Sequence, residues 1–309
     1  MSGPCPLVIV TGFLGAGKTT VLNRVLGAQH HRRVAVIVNE LGRIDIDGKL
    51  LRARAGDVVE LAGGCVCHEV RTQEELWGAL DEVIARSRPE VVVLETTGIA
   101  EPQAILDGLQ ALPEERQRVR AAAVVTVVDA DAGAAQLERH AEARAQVAVA
   151  DRLLLTKLDL APPERLEAVH RALDALNGSA ERAAFPPHAT AALVPWLLDR
   201  PALPRPARSG HPHAHGQLVA AAFSDEAPLL PAALLALCQR LGPALVRVKG
   251  FVHVAGEARR GFLERAGNVT ELRYGEVWAG TPRSELVFIG EGLDPGSLER
   301  ELWACRARL

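Results

Sequence analysis

The sequence predicts an α/β protein: a mainly parallel sheet flanked by helices, followed by a smaller α+β domain. Three observations predict it. Short runs that are apolar at almost every position alternate with helical patterns over the first two-thirds of the 309 residues. A proline- and histidine-rich stretch then interrupts the pattern. Beyond it, strands and helices are mixed rather than strictly alternating.

The apolar runs are LVIVTG (7–12), RVAVIVNE (33–40), EVVVLETTG (90–98), AAAVVTVVDA (121–130) and DRLLLTK (151–157). A strand covered by helices on both sides has no polar face, so it reads as an unbroken apolar run. Between the runs lie helical segments. Leu76, Leu80, Val83 and Ile84 share one face of a helix over 70–87. The segment PPERLEAVHRALDAL (162–176) opens on prolines and repeats apolar residues at helical spacing. The stretch LLDRPALPRPARSGHPHAHGQ (197–217) holds four prolines among arginines and histidines and reads as a linker. After it come a helix (PAALLALCQRL), two strands (ALVRVKGFVHV and ELVFIG) and a last helix (SLERELWACRARL). These shifts divide the chain into residues 1–203, a His/Pro-rich linker over 204–216 and a second domain over 217–309.

Composition narrows the partners. Hydrophobic content of 48% and charged content of 24% are those of a globular protein in water. A net charge of −3 supplies no basic field for nucleic acid or an anionic membrane, and 4% aromatic residues leave little for base stacking. No stretch approaches the roughly 18 apolar residues of a membrane span. The first apolar run lacks a basic flank and reads as a buried strand rather than a leader. Five cysteines, of which only Cys65 and Cys67 are close neighbours, do not make a disulfide framework. The expected address is the cytoplasm.

The most specific motif is GFLGAGKTT, which matches G-x-x-x-x-G-K-[ST] after a predicted strand and before a predicted helix. Gly12, Gly15, Ala16 and Gly17 would wrap phosphate oxygens with backbone amides at a helix start. Lys18 would bridge the β- and γ-phosphates, and Thr19, followed by Thr20, would ligate Mg²⁺. Such a loop needs an acid at the end of a second buried strand, and Glu95 ends VVVLE. Three residues on, Gly98 completes E-x-x-G, whose glycine amide senses the γ-phosphate. The stretch LLLTKLD then offers T-K-x-D with Thr156, Lys157 and Asp159. A carboxylate there accepts both N1–H and N2–H of guanine, a pair adenine cannot supply, and the lysine stem can lie on the base. The expected ligand is GTP or GDP. Thr156 stands where asparagine is usual. Being shorter, it is expected not to reach as far toward the base or the phosphate loop, leaving guanine preference to Asp159.

The second motif is GGCVCH (63–68). In an extended chain residues i and i+2 share a face, so Cys65 and Cys67 can point at one ion. His68 joins them if the chain turns into the helix that follows. Two thiolates and an imidazole suit zinc. Thiolates also suit Cu(I), and imidazole admits cobalt or nickel. The alternative is a packed turn in which the sulfurs are small apolar fillers and His68 caps the helix. His211, His213 and His215 alternate in the linker; they either hold labile metal or are incidental to a solvated segment. Cys238 and Cys305 fall on apolar helical faces and read as core. Lys249 and Gly250 read as architectural.

Taken in order, GFLGAGKTT, VNELGRIDIDGKLL (38–51), GGCVCH, ETTGIAEP (95–102), ADRLLLTKLD (150–159), the histidine-rich linker, RVKGFVHV and ELVFIG resemble the G3E P-loop GTPases, within them the CobW-like metallochaperone group. The resemblance spans nearly the whole chain. It implies a GTP-hydrolysing protein that delivers a transition metal, zinc first, to a client metalloenzyme. It also implies that NELGRIDIDG is a switch segment, with Glu40 beside the metal motif and Asp47 near the magnesium. The T-K-x-D form is within the family's range. One departure stands out: the family's C-x-C-C motif has His68 in place of its third thiolate. No residue clearly takes a water-positioning glutamine's role, Glu101 being a weak substitute. Slow turnover is therefore expected, raised by metal, a partner or homodimerisation. Relatives of this kind serve zinc enzymes, cobalamin synthesis and nitrile hydratase maturation, so a cobalt pathway is an alternative destination. Two rivals of other classes are a nucleotide-dependent assembly regulator with structural cysteines and a P-loop kinase. Asp159 argues against the kinase.

Overall fold

A computed structural model of the chain describes residues 3–28, 32–39, 58–61, 70–113, 116–199, 218–266, 269–278 and 280–307. These fall into two compact units, one within 3–199 and one within 218–307.

The first unit carries seven strands: β1 (Cys5–Thr11), β2 (Val34–Asn39), β3 (Val58–Leu61), β4 (Val91–Glu95), β5 (Val119–Asp129), β6 (Arg152–Thr156) and β7 (Glu181–Ala184). They pair in the order β3-β2-β4-β1-β5-β6-β7, all parallel. Its helices are α1 (Lys18–Leu26), α2 (Val70–Ser87), α3 (Pro102–Ala111), α4 (Gly133–Arg139), α5 (Ala141–Ala148), α6 (Pro163–Asn177) and α7 (Thr190–Leu198).

The apolar runs are explained by two cores, one on each side of the sheet. Val8, Val10, Val36, Val38, Val93, Val125 and Val127 face α1 and α7, whose Val21, Leu22, Leu193 and Leu197 cover them. The residues between them along each strand, Leu7, Ile9, Ala35, Ile37, Val92, Leu94 and Val124, face the other way. There Leu76, Leu80 and Val83 of α2 and Ile105 and Leu109 of α3 complete the packing. Each fully buried Val or Leu side chain contributes about 1.5–3 kcal/mol relative to exposure.

β1 lies between β4 and β5, so the chain first builds the sheet to one side of β1 and then to the other. At such a switch point the loops leaving the carboxyl ends diverge and open a crevice. The strand ends that matter for function therefore meet there: Thr11, Glu95, Asp129 and Thr156.

The second unit is a five-stranded antiparallel sheet in the order β11-β10-β9-β12-β8. Its strands are β8 (Leu218–Asp225), β9 (Leu245–Val252), β10 (Arg259–Ala266), β11 (Val269–Val277) and β12 (Ser284–Glu291). Helices α8 (Pro231–Leu241) and α9 (Pro295–Ala304) supply Leu234, Leu237, Cys238, Leu298 and Leu302 to a core shared with Val248, Val252, Leu263, Leu286 and Phe288. Gly250 is architectural, as its sequence context predicts. A Cβ there would lie 1.9 Å from the Glu285 carbonyl oxygen on β12.

The α/β plus α+β class is as predicted, and the differences are in extent. β3, β7, β8 and the β10–β11 ribbon are additional to the expected strands. β7 reads ERAA and β11 reads VTELRYGEV, so neither is an apolar run. Both are sheet edges, where strands tolerate charge and gain by it. Among the described residues no helix is long and apolar enough to cross a membrane.

Candidate functional site

The turn from β1 to α1 is drawn tightly against β5. Gly12 has φ of +141°, and a Cβ on it would lie 2.2 Å from the Val127 carbonyl oxygen. Only glycine fits. Gly12→Ala is expected to cost about 2–3 kcal/mol through backbone strain and displacement of the turn. Urea denaturation checks this, and a loss below 1 kcal/mol would show the turn to be more compliant than its contacts imply. Lys18, buried at the first position of α1, folds over the turn and donates from Nζ to the Gly12 carbonyl at 2.6 Å and to Phe13 at 3.4 Å. Gly15, Ala16 and Gly17 complete the turn. The α1 amides that begin at Lys18 are among the donors a helix leaves without internal partners. A turn of this kind, with a lysine across it, suits a chain of phosphate oxygens.

Thr19 and Glu95 meet beside it. The Thr19 hydroxyl donates to Glu95 Oε1 at 2.8 Å, and Glu95 is buried at the end of β4. A hydroxyl and a carboxylate in contact are hard oxygen ligands of the sort Mg²⁺ takes together with phosphate oxygens. The residues present fit that ion. Thr20, one position on, is exposed.

The segment after Glu95 is held from three sides. Thr96 donates from its amide to the Val10 carbonyl at 2.9 Å and from its hydroxyl to Thr11 Oγ1 at 2.8 Å. Gly98 lies flat against the phosphate turn, where a Cβ would fall 2.4 Å from Leu14 Cδ2 and 2.9 Å from Leu14 Cα. From α5, the fully buried Gln146 donates to the carbonyls of Gly98 at 3.1 Å and Ala100 at 3.0 Å. Gln146 is in turn fixed by the Thr126 hydroxyl, which donates to its backbone carbonyl at 2.7 Å.

On the other side of β1, β6 delivers the T-K-x-D residues. Thr156 corrects the expectation from its length. Its hydroxyl reaches the Ala16 carbonyl of the phosphate turn at 2.7 Å and lies 3.3 Å from the Val128 carbonyl. The reach comes from the turn rather than the side chain. Gly17 lies beside it: a Cβ there would be in ordinary van der Waals contact with Thr156 Oγ1, at 3.8 Å. Lys157 pairs with Asp129 at the end of β5, Nζ to Oδ2 2.6 Å. Asp159 stands exposed on the turn beyond.

Glu40, Asp47, Cys65, Cys67, His68, His211, His213 and His215 lie outside the described residues. β3 ends at Leu61 at the carboxyl end of the sheet, as β4 does at Glu95, and α2 begins at Val70; the C-x-C-H motif lies between β3 and α2 in sequence. Among the described residues no group of three or more His, Cys, Asp or Glu could hold a metal ion. Cys238 is fully buried, and burial pushes its thiol up to about 11. Burial raises the Cys305 thiol too. Both stay protonated at neutral pH, as core residues rather than soft ligands.

Two residues were missed from sequence. Asp129 ends an apolar run just as Glu95 does, so a signal was present. Gln146 lies in EARAQVAVA with nothing to distinguish it.

Residues 6–183 match the family described as CobW/HypB/UreG, nucleotide-binding domain, and residues 218–306 match the cobalamin synthesis protein cobW C-terminal domain. The chain is 35% identical over 180 residues to the zinc chaperone YjiA of Escherichia coli strain K12, covering 57% of this chain and 56% of that one. It is 43% identical over 115 residues to the zinc chaperone CobW of Pseudomonas aeruginosa, covering 34% and 30%. A third relative, the zinc-regulated GTPase metalloprotein activator 1 of Dictyostelium discoideum, is 35% identical over 115 residues, covering 33% and 24%. The matches thus span between about a quarter and just over half of those relatives' lengths.

Proposed function

Since the chain belongs to the CobW/HypB/UreG family of P-loop GTPases and carries the matching C-terminal domain, we propose that it is a GTP-driven zinc carrier. In this reading it binds one ion at Cys65, Cys67 and His68, with Glu40 alongside, and passes it to a client metalloenzyme. The observation that carries the nucleotide half is the contact of Thr19 with Glu95 beside Lys18, 2.8 Å between hydroxyl and carboxylate. The metal half is supported by the names of the relatives and by the two thiols and imidazole placed between β3 and α2 in sequence.

The residues divide the work. Gly12, Gly15, Ala16, Gly17, Lys18 and Thr20 hold the phosphates, and Asp159 selects guanine, with the Lys157 stem lying against the base and Thr156 tied to the phosphate turn. Thr19 and Glu95, with Asp47, would hold Mg²⁺, which when bound neutralises phosphate charge. Gly98 offers its amide to the γ-phosphate. Its carbonyl is tethered by Gln146, so a pull on the amide is felt along residues 96–100. The switch segment around Asp47 follows Glu40 and precedes the C-x-C-H motif in the chain. Ordering that segment alters the spacing of the four metal ligands, and hydrolysis relaxes it. The Gln146 amide nitrogen is committed to two carbonyls, which leaves Glu101, buried at the head of α3, as a weak candidate for positioning water. Intrinsic turnover is slow and is raised by metal, client or pairing of two copies.

Anaerobic zinc titration of the protein with GDP and with a non-hydrolysable GTP analogue tests this. One ion per chain is expected, with affinities that differ about 5–150-fold between nucleotides. Equal affinities refute the coupling. Cys65→Ser with Cys67→Ser is expected to abolish tight zinc binding and leave the melting temperature unchanged. Collapse of the fold would instead make the cysteines structural and the protein a nucleotide-dependent regulator.

A further inference from the structure

Lys157 has one carboxylate near it in sequence and another brought to it by the fold. Asp159 is its neighbour two residues along the same turn. Asp129 is 28 residues away in the chain and is brought to it by the parallel pairing of β5 and β6. The ammonium goes to Asp129, at 2.6 Å. That carboxylate is itself fixed: its Oδ1 accepts from the amides of Asp131 at 2.8 Å and Ala132 at 3.1 Å. The strand ends are closed by the Ala130 amide, which donates to the Thr156 carbonyl at 2.9 Å. Lys157 takes φ of +55°, a conformation that non-glycine residues adopt rarely. The side chain of Asp129 is 4% exposed and that of Lys157 31%, so the pair is anchored inside while the lysine stem keeps an open flank.

A lysine stem is flexible, and its ammonium seeks any carboxylate in reach. Without Asp129 the nearest candidate along the turn is Asp159, the group required to accept N1–H and N2–H of guanine. An ammonium on Asp159 would occupy those lone pairs and weaken the base contact. We infer that Asp129 is a positioning residue for guanine specificity, which holds the Lys157 ammonium away from Asp159 and lays the lysine stem down as a floor for the base. The inference rests on the guanine-binding half of the function proposed above.

The test compares dissociation constants of GDP and IDP for the full chain, since inosine lacks the 2-amino donor. Wild-type protein is expected to prefer GDP; no preference would sink the guanine reading itself, before any variant is compared. In Asp129→Asn the amide keeps an oxygen for the two backbone donors but cannot hold the ammonium. The GDP preference is expected to shrink at least about fivefold, because a charge-assisted contact to N2–H is lost. Adding Lys157→Met removes the competing ammonium and keeps the stem, and is expected to restore the preference to within about twofold of wild type. If Asp129 only supports the fold, both nucleotides weaken alike and nothing is restored. That result, or an unchanged preference in Asp129→Asn, overturns the inference. Should Asp129→Asn fail to fold, Lys157→Met alone decides. It is expected to weaken both nucleotides equally, and a collapse of the GDP preference would mean that the lysine itself reads the base.

Discussion

Glu95→Gln is expected to lower GTP turnover about 10²–10³-fold, comparable to losing one preorganised electrostatic group from an active site. That is about 3–4 kcal/mol of barrier. Glutamine keeps the shape of the side chain and an oxygen for the Thr19 hydroxyl, which now donates to Glu95 at 2.8 Å. It lacks the negative charge that would draw magnesium to the pair. The fold should not suffer, because a buried carboxylate is costly and its neutral isostere is not. Single-turnover phosphate release across a magnesium titration, alongside a thermal melt, separates the two effects. Wild-type turnover at saturating magnesium would remove Glu95 from the mechanism.

Asp159→Asn should change which base is chosen. The carboxylate offers two acceptors, matching the N1–H and N2–H of guanine. Asparagine offers one acceptor and one donor, which matches N1–H and the 2-oxo group of xanthine. GDP affinity is expected to fall about 10²-fold, as two hydrogen bonds to a charged acceptor are exchanged for one neutral bond and a clash of donors. XDP affinity should rise in the same variant. The exposure of Asp159 keeps the loss from being larger, since water competes for both partners. Competition of each diphosphate against a fluorescent guanine nucleotide reads the ranking directly. An unchanged order would move base selection elsewhere.

Much of the fold was legible because its physics is local. Val8 and Val10 face one core and Leu7 and Ile9 the other, so β1 must be apolar throughout, and the run shows it. The phosphate turn was legible because Gly12 and Lys18 are demanded by backbone geometry and charge at fixed spacing. What escaped was set by approach between distant segments. Thr156 bonds Ala16 across 140 positions of sequence, and the length of its side chain gave the wrong expectation because the turn comes to it. Gln146 acts through two carbonyls of residues 46 and 48 positions away, and carbonyls carry no sequence. β11 escaped because an edge strand needs no apolar run. Asp129 is the intermediate case: a charge ending a buried strand was visible, but its pairing with Lys157 depends on strand order.

One hydroxyl, on Thr156, fastens the turn proposed to meet the nucleobase to the turn proposed to meet the phosphates. In that reading the molecule grips a nucleotide with a single stiff jaw rather than with two separate fingers. Guanosine alone or a polyphosphate alone would each bear the whole cost of tightening that jaw, whereas the intact molecule shares it between its ends. Head and tail are thus not independent handles, and the whole binds better than the strengths of its halves would add up to.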